Sequence, residues 1–169
     1  MIVRLQGIAM FFVFPCAPFP SGGHHPANLE ATNPLVMWAH TNLADPRWKF
    51  TQKYLTLRHD PNNSGPQKLG LFDSETWAAY LLNREAFAKR TKADRSKTYP
   101  DFGCSFETFM NQDFLEAETQ GPLTKLSPGH TEELVEHCRL FRNVNPSALT
   151  DEERNRAVLP LVKMVGGAE

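Results

Sequence analysis

Several things are scarce in this chain of 169 residues. It has three cysteines, Cys16, Cys104 and Cys138, an odd number with no C-x-x-C pair, so neither a disulfide framework nor a zinc knuckle is implied. Charge of one sign is scarce too. Lys plus Arg (18) nearly cancels Asp plus Glu (19), which leaves no basic surface able to neutralise a run of phosphates and argues against a nucleic-acid partner. No apolar run approaches the ~20 residues of a membrane-spanning helix, so the sequence reads as a soluble globular domain with no membrane partner. G-x-S-x-G, P-loop and G-x-G-x-x-G patterns are absent, which removes support for hydrolase-elbow, NTPase and dinucleotide readings and calls for no cofactor. His24, His25, His40 and His59 form no H-x-H or H-E-x-x-H spacing, so no metal site is expected.

Proline is abundant, 13 in all, but unevenly placed. Eight lie between Pro15 and Pro66, and Pro100 alone falls between Gln67 and Gly121. Each lacks an N–H donor and breaks helix interiors, so regular structure is expected chiefly in the middle third. There the chain reads as strand-sized segments at Tyr54–Arg58, Gln67–Phe72, Thr76–Leu82, Glu85–Arg90 and Cys104–Met110. Asn111-Gln112 reads as a two-residue link into Asp113–Gln120. Met1–Phe14 reads as an opening strand, Pro15–Pro34 as a loop with Gly22-Gly23-His24-His25 at its tip, and Leu35–His40 as a short buried strand. Thr131–Val144 fits either a strand or a helical stripe of Leu134, Cys138 and Phe141. Beyond Asn145-Pro146, Thr150-Asp151-Glu152-Glu153 is a capping-box signature for a short helix broken near Pro160. The expectation is an all-β chain, an antiparallel β-sandwich over residues 1–144, with an appendage over residues 145–169 carrying a short C-terminal helix.

Cys104 and Cys138 sit in apolar-alternating segments and read as small core residues, which fits a reducing, cytoplasmic compartment. Arg4 followed by Leu5–Phe14 and Pro15-Cys16-Ala17 also has the outline of a short export signal, though a buried strand explains the same residues.

The most informative segment is Asp113–Gln120. In a strand, Glu116, Glu118 and Gln120 share one face, with neighbours roughly 6.6 Å apart from the ~3.3 Å rise per residue. Two carboxylates at that spacing couple their titration and raise one pKa, as general acid–base chemistry requires. A merely solvated face would look the same. Arg58, Lys68 and Lys89 place one cation in each of three segments; if these are adjacent strands, they could pair with Glu107, Glu116 or Glu118 or hold a sugar or carboxylate. Surface lysines are the plainer alternative. Trp38, Trp48, Trp77 and Tyr99 offer flat faces for sugar rings or, equally, core packing.

Leu115 to Phe141, LEAETQGPLTKLSPGHTEELVEHCRLF, resembles the C-terminal part of galactose mutarotase (aldose 1-epimerase) proteins: a Glu-Thr-Gln stretch, a proline, a Leu-x-Pro-Gly turn and a last strand bearing a histidine. Pro100–Glu107, Asp45-Pro46-Arg47-Trp48 and Phe87-Ala88-Lys89 look like a bacterial branch of that superfamily. The resemblance spans about residues 35 to 144. It implies part of a β-supersandwich that binds a monosaccharide in an open cleft and, in true mutarotases, interconverts its anomers. By matching position it makes Glu118 the base and Glu116 its modifier, with Lys68, Lys89, Arg58, Glu107 and Gln120 shaping the pocket. The family's acid histidine follows an asparagine, and no Asn-His pair occurs here; His137 matches the last-strand histidine instead. Family members are longer, so the resemblance also implies an incomplete N-terminal part and an exposed sheet edge open to self-association. Three readings stand: an isomerase, a non-catalytic sugar or glycan binder, and a truncated relative without independent activity.

Overall fold

The computed structural model describes residues 34–51, 53–144 and 150–166. It adds the backbone of two N-terminal strands, β1 (Ile2–Arg4) and β2 (Met10–Pro15). The readings for the Gly22–His25 loop, the export-like outline, Cys16 and the Asn145-Pro146 junction fall wholly or partly outside the described residues. Within them the chain is mostly antiparallel β-sheet. After β1 and β2 come β3 (Leu35–Met37), β4 (Trp48–Phe50), β5 (Tyr54–His59), β6 (Gln67–Leu71), β7 (Trp77–Leu82) and β8 (Glu85–Arg90). Then follow a single helical turn, α1 (Pro100–Gly103), strands β9 (Phe106–Met110), β10 (Phe114–Thr119) and β11 (His137–Arg142), and helices α2 (Asp151–Ala157) and α3 (Leu159–Lys163).

The strands form two sheets, ordered β1-β10-β9-β6-β3 and β11-β8-β7-β2-β5-β4. Period-two alternation decides what each face does. In β9, Phe106, Thr108 and Met110 are buried on one face while Glu107 and Phe109 point to the other. In β10, Leu115 and Ala117 are buried opposite Glu116 and Glu118. The inward residues of this five-stranded sheet join Trp48, Leu55, Leu57, Ala78 and Tyr80 of the six-stranded sheet in one apolar cluster. Each fully buried Leu or Phe there contributes about 1.5–3 kcal/mol. The outward face of the five-stranded sheet is thereby left free to carry polar residues.

The six-stranded sheet is covered on its second face as well. Trp77, Ala79, Leu81, Ala86 and Ala88 pack with Val144, Val158, Val162 and Val165, which is why β7 reads as a nearly continuous apolar run. The C-terminal segment expected as an appendage supplies this layer. Thr150 caps α2 through the expected box with Glu153, and Pro160 occupies the first turn of α3, where its missing N–H costs nothing.

Three local expectations are corrected. Leu35 and Met37 are 48% and 49% exposed, not buried, because β3 is a three-residue edge strand. The β9–β10 link is Gln112-Asp113, one residue later than read, since Asn111 N–H donates to the Phe114 carbonyl and the Asn111 side chain accepts from the Asp113 and Phe114 amides. Cys104 is buried as expected, but Cys138 is exposed on the edge strand β11, beside Leu140 at 77% exposure. By contrast, Asn83-Arg84 makes the tight β7–β8 hairpin with φ of 47° and 65° at its two positions, an Asn-favoured mirror-image turn.

Candidate functional site

Register brings four of the anticipated residues together on the outward face of the five-stranded sheet. Glu118 of β10 lies directly opposite Glu107 of β9, and Glu107 in turn lies opposite Gly70 of β6. Two like charges across a ladder destabilise a sheet unless something screens them. Lys68, two residues before Gly70, does so. Its Nζ sits 2.8 Å from Glu107 Oε2 and 3.4 Å from Glu118 Oε2, so one ammonium is shared by two carboxylates. Glu116 follows on the same face of β10.

Trp38 closes one side. The Lys68 ammonium lies 4.6 Å from its ring centroid, a cation–π contact of about 0.5–2 kcal/mol. The turn that holds the indole is pinned by Trp38 N–H to Thr41 Oγ1 at 3.0 Å and by Thr41 Oγ1 to the Lys68 carbonyl at 2.5 Å. Gly70 makes the closure possible: a Cβ there would stand 2.4 Å from Cys104 Sγ, 3.1 Å from Trp38 and 3.3 Å from Glu107 Cγ. Glycine inside a strand marks such close approaches. His40 is nearby through Phe109, their ring centroids 6.1 Å apart.

Burial and charge then set the chemistry. Glu107 is 1% exposed, and burial pushes its carboxyl up to about 7 against the opposing pull of Lys68, with the Asp101 carboxyl adding to the rise. Burial also disfavours the Lys68 charge, yet Glu107 and Glu118 outweigh it and hold the ammonium above its ordinary range. Glu116 is raised by burial and then by its neighbour Glu118. Burial, with Glu107 and Asp101 close by, pushes the Cys104 thiol up to about 12, which keeps it protonated and inert. A proton-holding acid, a second carboxyl group across the ladder and a fixed cation thus share one sheet face.

The Pro100–Gly103 turn borders this cluster, with Asp101 at φ 47°, ψ 56° and Phe102 at φ 60°, ψ 25°. Left-handed backbone at non-glycine residues costs roughly 1–3 kcal/mol each and persists where surrounding contacts impose it. One such contact is Cys104 Sγ–H to the Asp101 carbonyl at 3.0 Å. The turn brings Asp101 to Glu107 and leaves the Phe102 ring 92% exposed.

The other anticipated residues lie elsewhere. Lys89, on β8 of the six-stranded sheet, is buried; its Nζ donates to the Ala117 carbonyl at 3.0 Å and pairs with Glu136 Oε1 at 2.5 Å. It therefore meets β10 from the face opposite Glu116 and Glu118 and ties the two sheets together. Burial acts to raise Glu136, but Lys89 and Thr119 outweigh it and lower the carboxyl. Arg58 is exposed on β5 of the six-stranded sheet, apart from the cluster. Gln120 lies one residue beyond β10, its N–H donating to the Ser105 carbonyl at 2.9 Å. Trp48 donates from its indole to Gln67 Oε1 at 2.9 Å, and Trp48, Trp77 and Tyr99 are each buried in a separate apolar cluster, whereas Trp38 lies against Lys68.

A cavity of about 520 Å³ lies away from these carboxylates, lined by Arg90, Lys92, Lys97, Glu133 and His137 among others. Among the described residues no group of three His, Cys, Asp or Glu is placed to hold a metal ion, and no helix is long and apolar enough to cross a membrane. Compared with protein-family models, curated proteins and solved structures, the chain finds no match.

Sequence reasoning did not single out Asp101, Gly70 or the placement of Trp38 over Lys68. An isolated glycine inside the strand-sized segment Gln67–Leu71 was the available signal for the second. Nothing local marks the first.

Proposed function

We propose that this chain is a carbohydrate-binding protein of the galactose mutarotase-like type, its two sheets forming part of a β-sandwich, and that it acts at the anomeric centre of a monosaccharide. The observation that carries this reading is the single face shared by Glu107, Lys68 and Glu118, with Glu116 beside them. Reversible opening of a sugar ring needs a base on the anomeric hydroxyl, an acid for the ring oxygen and charge control between them. Glu118, half-buried with its carboxylate 3.4 Å from the Lys68 ammonium, fits the base. Lys68 pairs with it and offers a donor to sugar hydroxyls, and Glu116 modulates it.

The test is polarimetry of freshly dissolved α-D-glucose and α-D-galactose. Acceleration by the wild type that is lost in Glu118→Gln supports the reading, and an unaccelerated approach to equilibrium for both sugars counts against catalysis. A second reading, binding without turnover, is favoured because, among the described residues, no imidazole contacts the carboxylate cluster. Titration of the same sugars against tryptophan fluorescence separates the two, since Trp38 lies against Lys68. A saturable change without faster anomer exchange supports binding alone.

A further inference from the structure

Each of the two sheets ends in edge strands, and an edge offers a row of unpaired backbone N–H and C=O groups to any strand that can reach it. Proteins blunt such edges with short strands, proline, bulges or charges that stand off into solvent. Among the described residues β1, β3 and β4 use the first device, at three residues each. β11 does not. It runs six residues, His137–Arg142, and contains no proline. It pairs with β8 in unbroken register, from His137 opposite Arg90 to Arg142 opposite Glu85, so no bulge twists it away. Among the described residues its other side has no partner strand.

The charges of β11 do not guard that side. Arg139 is turned back onto its own chain, with Nη1 3.4 Å from the Met164 carbonyl and its guanidinium 5.5 Å from the Phe141 ring centroid. Arg142 reaches sideways to Glu85 on β8, at 3.6 Å. Between them Leu140 is the most exposed aliphatic side chain among the described residues. It lies opposite Phe87 of β8, which packs against the apolar cluster shared by the two sheets. Leu140 thus carries that apolar strip past the last strand and into solvent.

The strand is complementary to itself. In an antiparallel pair, directly opposed residues point to the same face, so a two-fold axis perpendicular to the sheet must pass through one residue of the strand. A six-residue strand then overlaps its copy over five residues when the axis lies at Arg139 or Leu140, and over three or fewer elsewhere. Charge decides between these two. An axis at Arg139 sets that cation against itself, which destabilises a ladder. An axis at Leu140 opposes no two cations: Leu140 meets Leu140 of the second copy, Arg139 meets Phe141, and Cys138 meets Arg142. The contact between Arg139 and Phe141 already present within one strand is then repeated across the pair.

We propose that a second copy of this chain docks antiparallel along β11, about a two-fold axis at Leu140, and joins the two six-stranded sheets into one. The docking goes beyond the carbohydrate reading and uses none of its residues, since the Glu107–Lys68–Glu118 face belongs to the other sheet. It closes at two copies, because the axis consumes both long edges and the other described edges are three residues long.

Sedimentation velocity of the chain between about 10 µM and about 1 mM, the range in which a small transient interface associates, should show the sedimentation coefficient climbing from monomer to dimer. Leu140→Lys places like charges at the axis and should weaken association at least about tenfold, while the urea midpoint at low concentration stays put because the side chain is exposed. Mild oxidation reads the register. In a Cys16→Ser background, Leu140→Cys with Cys138→Ser should give a disulfide-linked dimer, since directly opposed residues have Cα atoms about 4.5–5.5 Å apart. Cys138 beside the native Leu140 should give none, its counterpart lying four residues, roughly 13 Å, along the ladder. A chain that stays monomeric throughout overturns the proposal and leaves the edge to a strand of a different protein. A dimer indifferent to Leu140→Lys, or assembly that grows beyond two copies, overturns it as well. A dimer linked through Cys138 and not through position 140 overturns the axis.

Discussion

Replacing Glu107 with glutamine should change the pH dependence of stability in a direction that the burial of this carboxyl dictates. A glutamate whose folded pKa is raised binds its proton more tightly in the native state than in the unfolded chain. Its contribution is most favourable below the unfolded value, near 4.5, and is lost as pH rises through about 7. The gap between those values corresponds to a ceiling of roughly 3 kcal/mol at about 1.36 kcal/mol per unit. Because solvent reaches the outer parts of the cluster and Glu118 shares the same cation, we expect about 2 kcal/mol. Urea unfolding of the wild type and Glu107→Gln at pH 5 and pH 8 reads this directly. From pH 5 to pH 8 the wild type should lose about 2 kcal/mol that the variant does not. A stability difference between the two proteins that stays the same at both pH values would refute the argument, because an ionised Glu107 would then be as comfortable in the fold as in water.

Other consequences follow from single contacts. Gly70→Ala should destabilise by about 1–3 kcal/mol in urea, since the new Cβ would fall 2.4 Å from Cys104 Sγ, and adding Cys104→Ala should recover part of that loss; strict additivity would contradict the proposed crowding. In native protein a thiol reagent should modify Cys138 and spare Cys104, as mass mapping would show, because Cys104 is fully buried with its thiol pushed up to about 12. Thr150→Ala removes the capping box of α2 and should cost about 1 kcal/mol, seen as faster hydrogen exchange in residues 151–157; unchanged exchange would mean that packing alone holds the helix.

Much of the sheet was legible because turn residues punctuate it. Asp60-Pro61-Asn62-Asn63-Ser64-Gly65 separates β5 from β6, and Asn83-Arg84 closes the β7–β8 hairpin. Period two alone placed Glu116 and Glu118 on one face and opposed them to Leu115 and Ala117. What periodicity does not carry is which strands become neighbours. Lys68 and Lys89 occupy similar strand contexts in the chain, yet β6 pairs with β9 while β8 lies in the other sheet, so one lysine reaches the carboxylates and the other bridges the interior. Arg58 is separated for the same reason. β2, from near the N-terminus, pairs with both β5 and β7, a long-range insertion that no local pattern announces. Asp101 was invisible for a different reason: its place beside Glu107 depends on positive φ at two non-glycine residues, which tertiary contacts impose against local preference.

The central claim is that the Glu107–Lys68–Glu118 face receives a sugar at its anomeric carbon. Saturation-transfer NMR on a reducing hexose tests it most directly by asking which sugar protons lie closest to the protein. The account predicts saturation strongest at the anomeric proton with the wild type and markedly weakened with Glu118→Gln. No saturation of any hexose, or equal saturation from both proteins, would contradict it.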